Sequence, residues 1–260
     1  MQTIKELFLP EELNVLMNDY RLTVEPSEDR TYSIAAPDLL DPDQCLAYLE
    51  RVKAIYETDS LMATASMFAK RYSYLTIASG LYAMSLFNKG LDYSIENCHL
   101  ESIHQGTAWL PKVRLTQWEA HTPQRCRNEW RDRVIQNIFA DNLAKVWRTI
   151  AKTAKISPAI LWENTAIYVY YLYENRLEQG ATPEQIARIR DDYEYLLNEA
   201  PAHLFGESSN PLARYNTPKR LTAASEKPVR LRKTCCFYYV VADDPEDYCH
   251  SCPKIKHQFV

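Results

Sequence analysis

Four sulfur atoms set the first question about this chain. Between Arg230 and Pro253 it reads RLRKTCCFYYVVADDPEDYCHSCP, so Cys235, Cys236, Cys249 and Cys252, four of its seven cysteines, fall within eighteen positions. Thiolates are soft ligands, and C-x-x-C spacing lets two sulfurs turn onto one centre, so the pattern points to zinc or to an iron–sulfur cluster. Zinc sites usually use two short-spaced pairs, whereas here the first pair is adjacent. Neighbouring side chains on extended backbone point to opposite sides, and both reach a single tetrahedral ion only awkwardly. A [2Fe–2S] rhomb is wider and has two irons, which favours the cluster over zinc. His250, inside the C-x-x-C, offers a Rieske-like replacement for one thiolate, although four cysteines already suffice. A pair of redox-active dithiols without metal is the bland alternative; a disulfide between adjacent residues strains the peptide. Spacing does not assign cysteines to irons. The scattered Cys45, Cys98 and Cys126 read as small buried hydrophobes.

A basic block runs into the first cysteine pair. Residues 212–233 carry Arg214, Lys219, Arg220, Lys227, Arg230, Arg232 and Lys233 against Glu226 alone. Either this is a solvated face, or it is an anion site beside the thiolates. Elsewhere charge is uneven too: residues 1–60 hold 5 basic and 13 acidic side chains, residues 109–155 hold 10 and 4. The whole chain, at net charge -4, gives no global reason to expect nucleic acid.

The elements that must position the sulfurs are mostly helical. A length of 260 residues with 46% hydrophobic and 25% charged residues is that of a globular chain with ample core. An oxygen-bearing cap followed by proline occurs at Asp41-Pro42, Thr122-Pro123, Ser157-Pro158 and Thr182-Pro183. Such pairs start helices, because the side chain satisfies a free amide and proline has none. DPDQ at 41–44 and TPEQ at 182–185 also spell capping boxes. Helices are therefore expected at about 3–18, 42–57, 61–87 (with Gly90 near its end), 123–155, 158–179 (with Gly180 as its stop) and 183–199. The helix from 158 is apolar nearly all round, the mark of a central helix, and its Asn164 will need partners. RLTVE (21–25) and RTYSIAA (30–36) suggest a hairpin, and segments 92–104 and 107–118 suggest two more strands joined near Gly106. FYYVVADDPEDY reads as strand, turn and return, carrying Cys249 and Cys252 back to Cys235 and Cys236.

The expected fold class is mainly α with a small mixed or antiparallel β part (α+β). It divides into an N-terminal α+β part (1–120), a helical part (121–204), a connecting arm (205–233) and an iron–sulfur segment (234–260). No apolar run reaches the length of a membrane span, and the N-terminus lacks a secretory pattern, so a cytoplasmic protein is expected. No hydrolase triad, P-loop or G-x-G-x-x-G appears.

Cys-Cys, a gap, then C-x-x-C, preceded by VRLRKTCCFYY, resembles the FhuF-like ferric-siderophore reductases. The helix SPAILWENTAIYVYYLYE (157–174), with Trp162 and Asn164, is similar to that family's central segment, so the resemblance runs over about 155–253. The gap of twelve between Cys236 and Cys249 departs from the commoner ten, a difference that a longer loop absorbs. The resemblance implies a [2Fe–2S] cluster on Cys235, Cys236, Cys249 and Cys252, and one-electron reduction of iron(III) in an imported siderophore, typically of the hydroxamate type, citrate-based ones included. Hard oxygen chelators hold iron(III) tightly and iron(II) weakly, so one electron releases the metal and no acid, base or nucleophile is needed. On this reading Arg230, Arg232, Lys233, Arg214, Lys219 and Arg220 would hold an anionic chelate or tune the cluster. A separate ferredoxin, flavodoxin or reductase would supply electrons. Peripheral membrane association stays open. The competing readings are a zinc-stapled binding module with a basic face, a relative of siderophore synthetases, and a passive siderophore-binding accessory.

Overall fold

Helix starts fall where side-chain oxygens meet free amides. Asp41, Ser157 and Thr182 each accept from amides two or three residues ahead, with proline at the next position. Gln185 closes a capping box with Thr182, whereas Asp41 accepts the Gln44 amide without a return bond from the Gln44 side chain. The computed structural model describes residues 8–102, 104–105, 108–117, 119–222, 225–244 and 246–256. Residues 3–7 of the first expected helix, Gly106 and Pro245 lie outside these.

The chain opens with helix α1 (Pro10–Asn18), short strands β1 (Leu22–Thr23) and β2 (Ile34–Ala35), and helices α2 (Pro42–Lys53) and α3 (Leu61–Tyr82). Strands β3 (Cys98–Glu101), β4 (His104–Gln105), β5 (Ala108–Trp109) and β6 (Lys112–Leu115) follow. Next come helices α4 (Arg127–Ile138), α5 (Ala144–Thr153), α6 (Pro158–Asn175), α7 (Pro183–Glu194) and α8 (Pro211–Tyr215), then strands β7 (Lys219–Thr222) and β8 (Ser225–Arg230). The class is mainly α with small mixed and antiparallel sheets, as expected.

Several local expectations need correction. The Thr122-Pro123 start is not used: His121 is held extended by reciprocal backbone hydrogen bonds with Gly90 at 2.8 and 3.0 Å, and α4 begins only after Cys126. A Cβ on Gly90 would meet the His121 ring at 2.3 Å, so glycine serves this close approach and not a helix stop. The helix from 61 ends instead through Asn88, in the left-handed region at φ 55°. Helix α6 stops at Asn175, and Gly180 (φ 74°) belongs to the turn into α7.

The N-terminal hairpin does not form. The sheet order is β1-β6-β3-β2, with β1 parallel to β6 and the other neighbours antiparallel. The buried carboxylate of Glu101 explains the rearrangement. It accepts from the Ser27 amide, Ser33 Oγ, Arg30 and Arg114 at 2.7–3.4 Å, drawing the intervening loop across β3 and leaving β2 on its far edge. The paired strands β3 and β6 match the sequence reading.

At the centre α3 lies along α6. Small residues on α3 (Ala65, Ser66, Ala69, Ser73) let the backbones approach, and Ser73 and Thr165 share a hydrogen bond of 2.9 Å across the contact. Buried side chains from the sheet (Leu22, Leu100, Val113) and the helices join one core. Among the described residues no helix is long and apolar enough to cross a membrane.

Candidate functional site

Two carboxylates on α6 decide where the tail lies. Glu174 accepts from Arg230 Nη2 at 2.8 Å and pairs with Lys219 Nζ at 2.7 Å, clamping the β7–β8 hairpin. Glu163, buried, accepts from the Lys233 and Thr234 amides at 2.7 Å each and from the Thr234 hydroxyl. The two acids stand roughly 16 Å apart along a helix rising 1.5 Å per residue. The stretch from Arg230 to Thr234, extended, spans roughly 13 Å. The chain thus runs back along α6 from one carboxylate to the other and delivers Cys235 and Cys236 beside the first turns of that helix. The connecting arm is accordingly not a bare linker but carries α8 and the antiparallel pair β7–β8.

The cysteine segment is a looped turn and not a β-hairpin. Phe237 adopts φ 60° and starts a 3₁₀ turn through Val240, which breaks the extended run. A second turn closes with the Asp247 amide on the Asp244 carbonyl at 2.9 Å. The Arg232 amide donates to the Ser251 carbonyl at 3.0 Å, tying the two ends together. The return brings Cys249 Sγ to 4.0 Å from Cys236 Sγ, and Cys252 is buried in the same loop. Tyr239 stacks on Tyr248 with ring centres 5.1 Å apart, and Lys254 lies over Tyr239.

The electrostatics separate the two neighbouring thiols. Cys236 is held well below the ordinary thiol range by the hydrogen bond from Cys249, against its burial, with Lys70 and Arg232 adding their positive charge. Cys249 is pushed up by that bond and by burial. Cys235 is raised by burial, although the Phe237 amide donates to its sulfur at 3.4 Å. Outside the cluster, burial pushes Cys45 up to about 11 and raises Cys98, the behaviour of inert core thiols. Cys126 is exposed, contrary to expectation, at the residue before α4, where its side chain makes no capping hydrogen bond.

The basic residues divide sharply. Arg232 is buried, donating to Asn164 Oδ1 at 2.7 Å and the Thr234 carbonyl at 3.1 Å, beside Glu163. Arg230 is taken by Glu174, the Thr217 carbonyl and the Tyr170 ring face. Both guanidinium groups are engaged by partners within the protein. Lys219 pairs with Glu174, and Lys233 Nζ donates to the Arg214 carbonyl at 2.7 Å. Arg214 and Arg220 are exposed on the same arm. Asn164 finds the partners its burial requires: besides Arg232 it donates to Ser66 Oγ at 3.0 Å. Glu163, Ser66 and Lys70 escaped the sequence reading. The signal for them was a lone acid beside Asn164 in an apolar helix, and polar residues four apart in a small-residue helix.

The Glu174 clamp carries a pH signature. Burial alone would raise this carboxyl, but hydrogen bonds from Arg230, Lys219 and Tyr193 outweigh it and hold the group below the usual carboxylate range. A depressed folded value means the contribution is complete above the ordinary carboxylate range and lost as pH falls through it. At pH 7, Glu174→Gln should lower unfolding free energy by about 1–2 kcal/mol. In urea titrations the gap from wild type should close as the pH drops below that range.

Comparison with known proteins gives the class of this mainly helical α+β chain. Residues 66–227 match the family described as ferric iron reductase FhuF-like transporter, and the chain belongs to that family. The matched span includes Lys70, Glu163, Asn164 and the exposed arm arginines, and it ends before Cys235. No curated protein matches the chain.

Proposed function

We propose that this protein is a ferric-siderophore reductase whose Cys235, Cys236, Cys249 and Cys252 hold a [2Fe–2S] cluster. The observation that carries the reading is the Cys236–Cys249 sulfur separation of 4.0 Å within a loop pinned to α6. A tetrahedral centre with metal–sulfur bonds of about 2.3 Å sets its sulfurs about 3.8 Å apart, so this pair has the span of one such edge. Among the described residues no three His, Cys, Asp or Glu side chains close to the spacing of a single-ion site. The family's reductase description supports the activity.

Bound there, the cluster would supply a single electron to iron(III) held outside it. The chain's own part is to hold the thiolates and limit water. Glu163 fixes the backbone of residues 233 and 234 and Asn164 holds the Arg232 side chain, and together they set the direction of the two adjacent sulfurs. Phe237 packs against the core and the Tyr239–Tyr248 stack lies beside the cysteines. Arg230 and Arg232 position the arm, and the exposed Arg214 and Arg220 on it, with Lys219 and Lys233 beside them, would meet an anionic, citrate-based hydroxamate chelate by charge. Action in the cytoplasm with a separate ferredoxin, flavodoxin or reductase as donor completes the proposal.

The test is stopped-flow mixing of anaerobically reduced protein with ferric hydroxamates, trapping iron(II) with a chromogenic chelator. One iron(II) should appear per electron lost, and reaction with anionic chelates should weaken with salt. Reduced protein that no ferric chelate reoxidises would sink the reading and favour the accessory role.

A further inference from the structure

Two side chains of α3 converge on one cysteine of the loop. Ser66 and Lys70 stand four residues apart and so share a helix face, one above the other. Ser66 Oγ donates to the Cys236 carbonyl at 2.7 Å, and Lys70 Nζ donates to Cys236 Sγ at 3.1 Å. The register of this face is set from α6: Asn164 Nδ2 donates to the Ser66 carbonyl at 3.1 Å and to its hydroxyl at 3.0 Å, while Asn164 Oδ1 accepts from buried Arg232. Lys70 therefore sits on a framework built from two packed helices, and its aim does not depend on the cysteine loop alone. Its ammonium also lies 5.6 Å from the centre of the Tyr238 ring. Tyr238 is itself tethered to Asp247 at 3.2 Å. A surface lysine would leave its head in water; this one is half-buried, between an aromatic face and a sulfur.

We propose that Lys70 is a positioning residue that keeps a fixed positive charge against the Cys236 thiolate, stabilising it as a cluster ligand and raising the reduction potential of the centre. The inference rests on the reading that the four cysteines hold a [2Fe–2S] cluster. Hydrogen bonds and charge at ligand sulfurs are the protein's levers on such potentials. One-electron reduction adds one negative charge to the centre, and a cation in contact with a ligand sulfur favours the more negative state. Removing it leaves the oxidised form relatively better off, and the potential falls. Arg232 adds positive charge nearby, with its Nη2 and Nε engaged by Asn164 and the Thr234 carbonyl, whereas the Lys70 ammonium donates to the sulfur itself.

The experiment is a redox titration of cluster-loaded wild type, Lys70→Met, Lys70→Gln and Lys70→Arg at one pH and ionic strength, with iron and sulfide counted in each sample. The neutral variants should show at least a tenfold smaller equilibrium constant for one-electron reduction, a fall of about 59 mV. The arginine variant should stay near wild type. If both neutral variants fold, by circular dichroism, yet carry no cluster while Lys70→Arg keeps it, the charge is needed to hold the ligand, and the proposal stands. Neutral variants with a full cluster and an unchanged potential overturn it and leave the cluster reading intact. Loss of the cluster from all three, arginine included, marks Lys70 as a packing residue and also overturns it. Wild type without iron or sulfide overturns both.

Discussion

Serine in place of Cys236 will give a folded protein without bound iron or acid-labile sulfide, colourless where the wild type is red-brown, and unable to pass an electron to a ferric chelate. The thiol is buried, takes the Lys70 ammonium at 3.1 Å, and makes the 4.0 Å contact with Cys249. A serine hydroxyl is smaller, harder and far less acidic, so it is a poor substitute ligand at neutral pH. Equivalent exchanges at Cys235, Cys249 and Cys252 should give the same loss. Cys126→Ser should change nothing, since that residue is exposed and its side chain makes no capping hydrogen bond. Iron and sulfide assays on anaerobic preparations check this. Full iron content in all four serine variants would end the cluster proposal, and stoichiometric zinc in the wild type would revive the zinc module.

Glu163→Ala should be the most damaging single change away from the cysteines. The carboxylate is 2% exposed and receives two amides, one hydroxyl and the nearby Arg232 charge. Alanine leaves those donors buried without an acceptor and Arg232 without its counter-charge. Breaking a buried pair from one side costs about 3–5 kcal/mol. The loss should appear in chemical unfolding and, at native conditions, as failure to retain iron, because the chain from Arg232 to Thr234 no longer has a fixed path along α6. Glu163→Gln keeps one acceptor oxygen and should lose less on both measures. Normal iron retention by a clearly destabilised Glu163→Ala protein would show that the loop is positioned by other contacts.

Much of the fold was legible because its signals are local. A cap oxygen and a proline act within one turn, so the starts at Pro42, Pro158 and Pro183 could be read directly. Thr122-Pro123 failed for a nonlocal reason: a backbone bridge between Gly90 and His121 keeps that segment extended. Strands of two residues carry almost no pattern, and β1 pairs with β6, some ninety positions away, so the expected β1–β2 hairpin had no way to show its error in sequence. The basic block showed where positive charge accumulates but not which heads are used internally. Arg230 and Arg232 look like their neighbours until Glu174 and Asn164 are placed beside them.

The amino-acid sequence by itself determined the candidate ligand atoms, the mainly helical class and the central place of the helix from Ser157, since thiol chemistry, capping and all-round hydrophobicity are properties of residues and short spans. Only the tertiary structure decided which of two adjacent thiols meets a lysine, which carboxylates pin the tail, and which arginines stay outside. Those outcomes depend on α3, α6 and the last thirty residues meeting in space. Charges and hydrogen bonds act over a few ångströms whatever the separation along the chain.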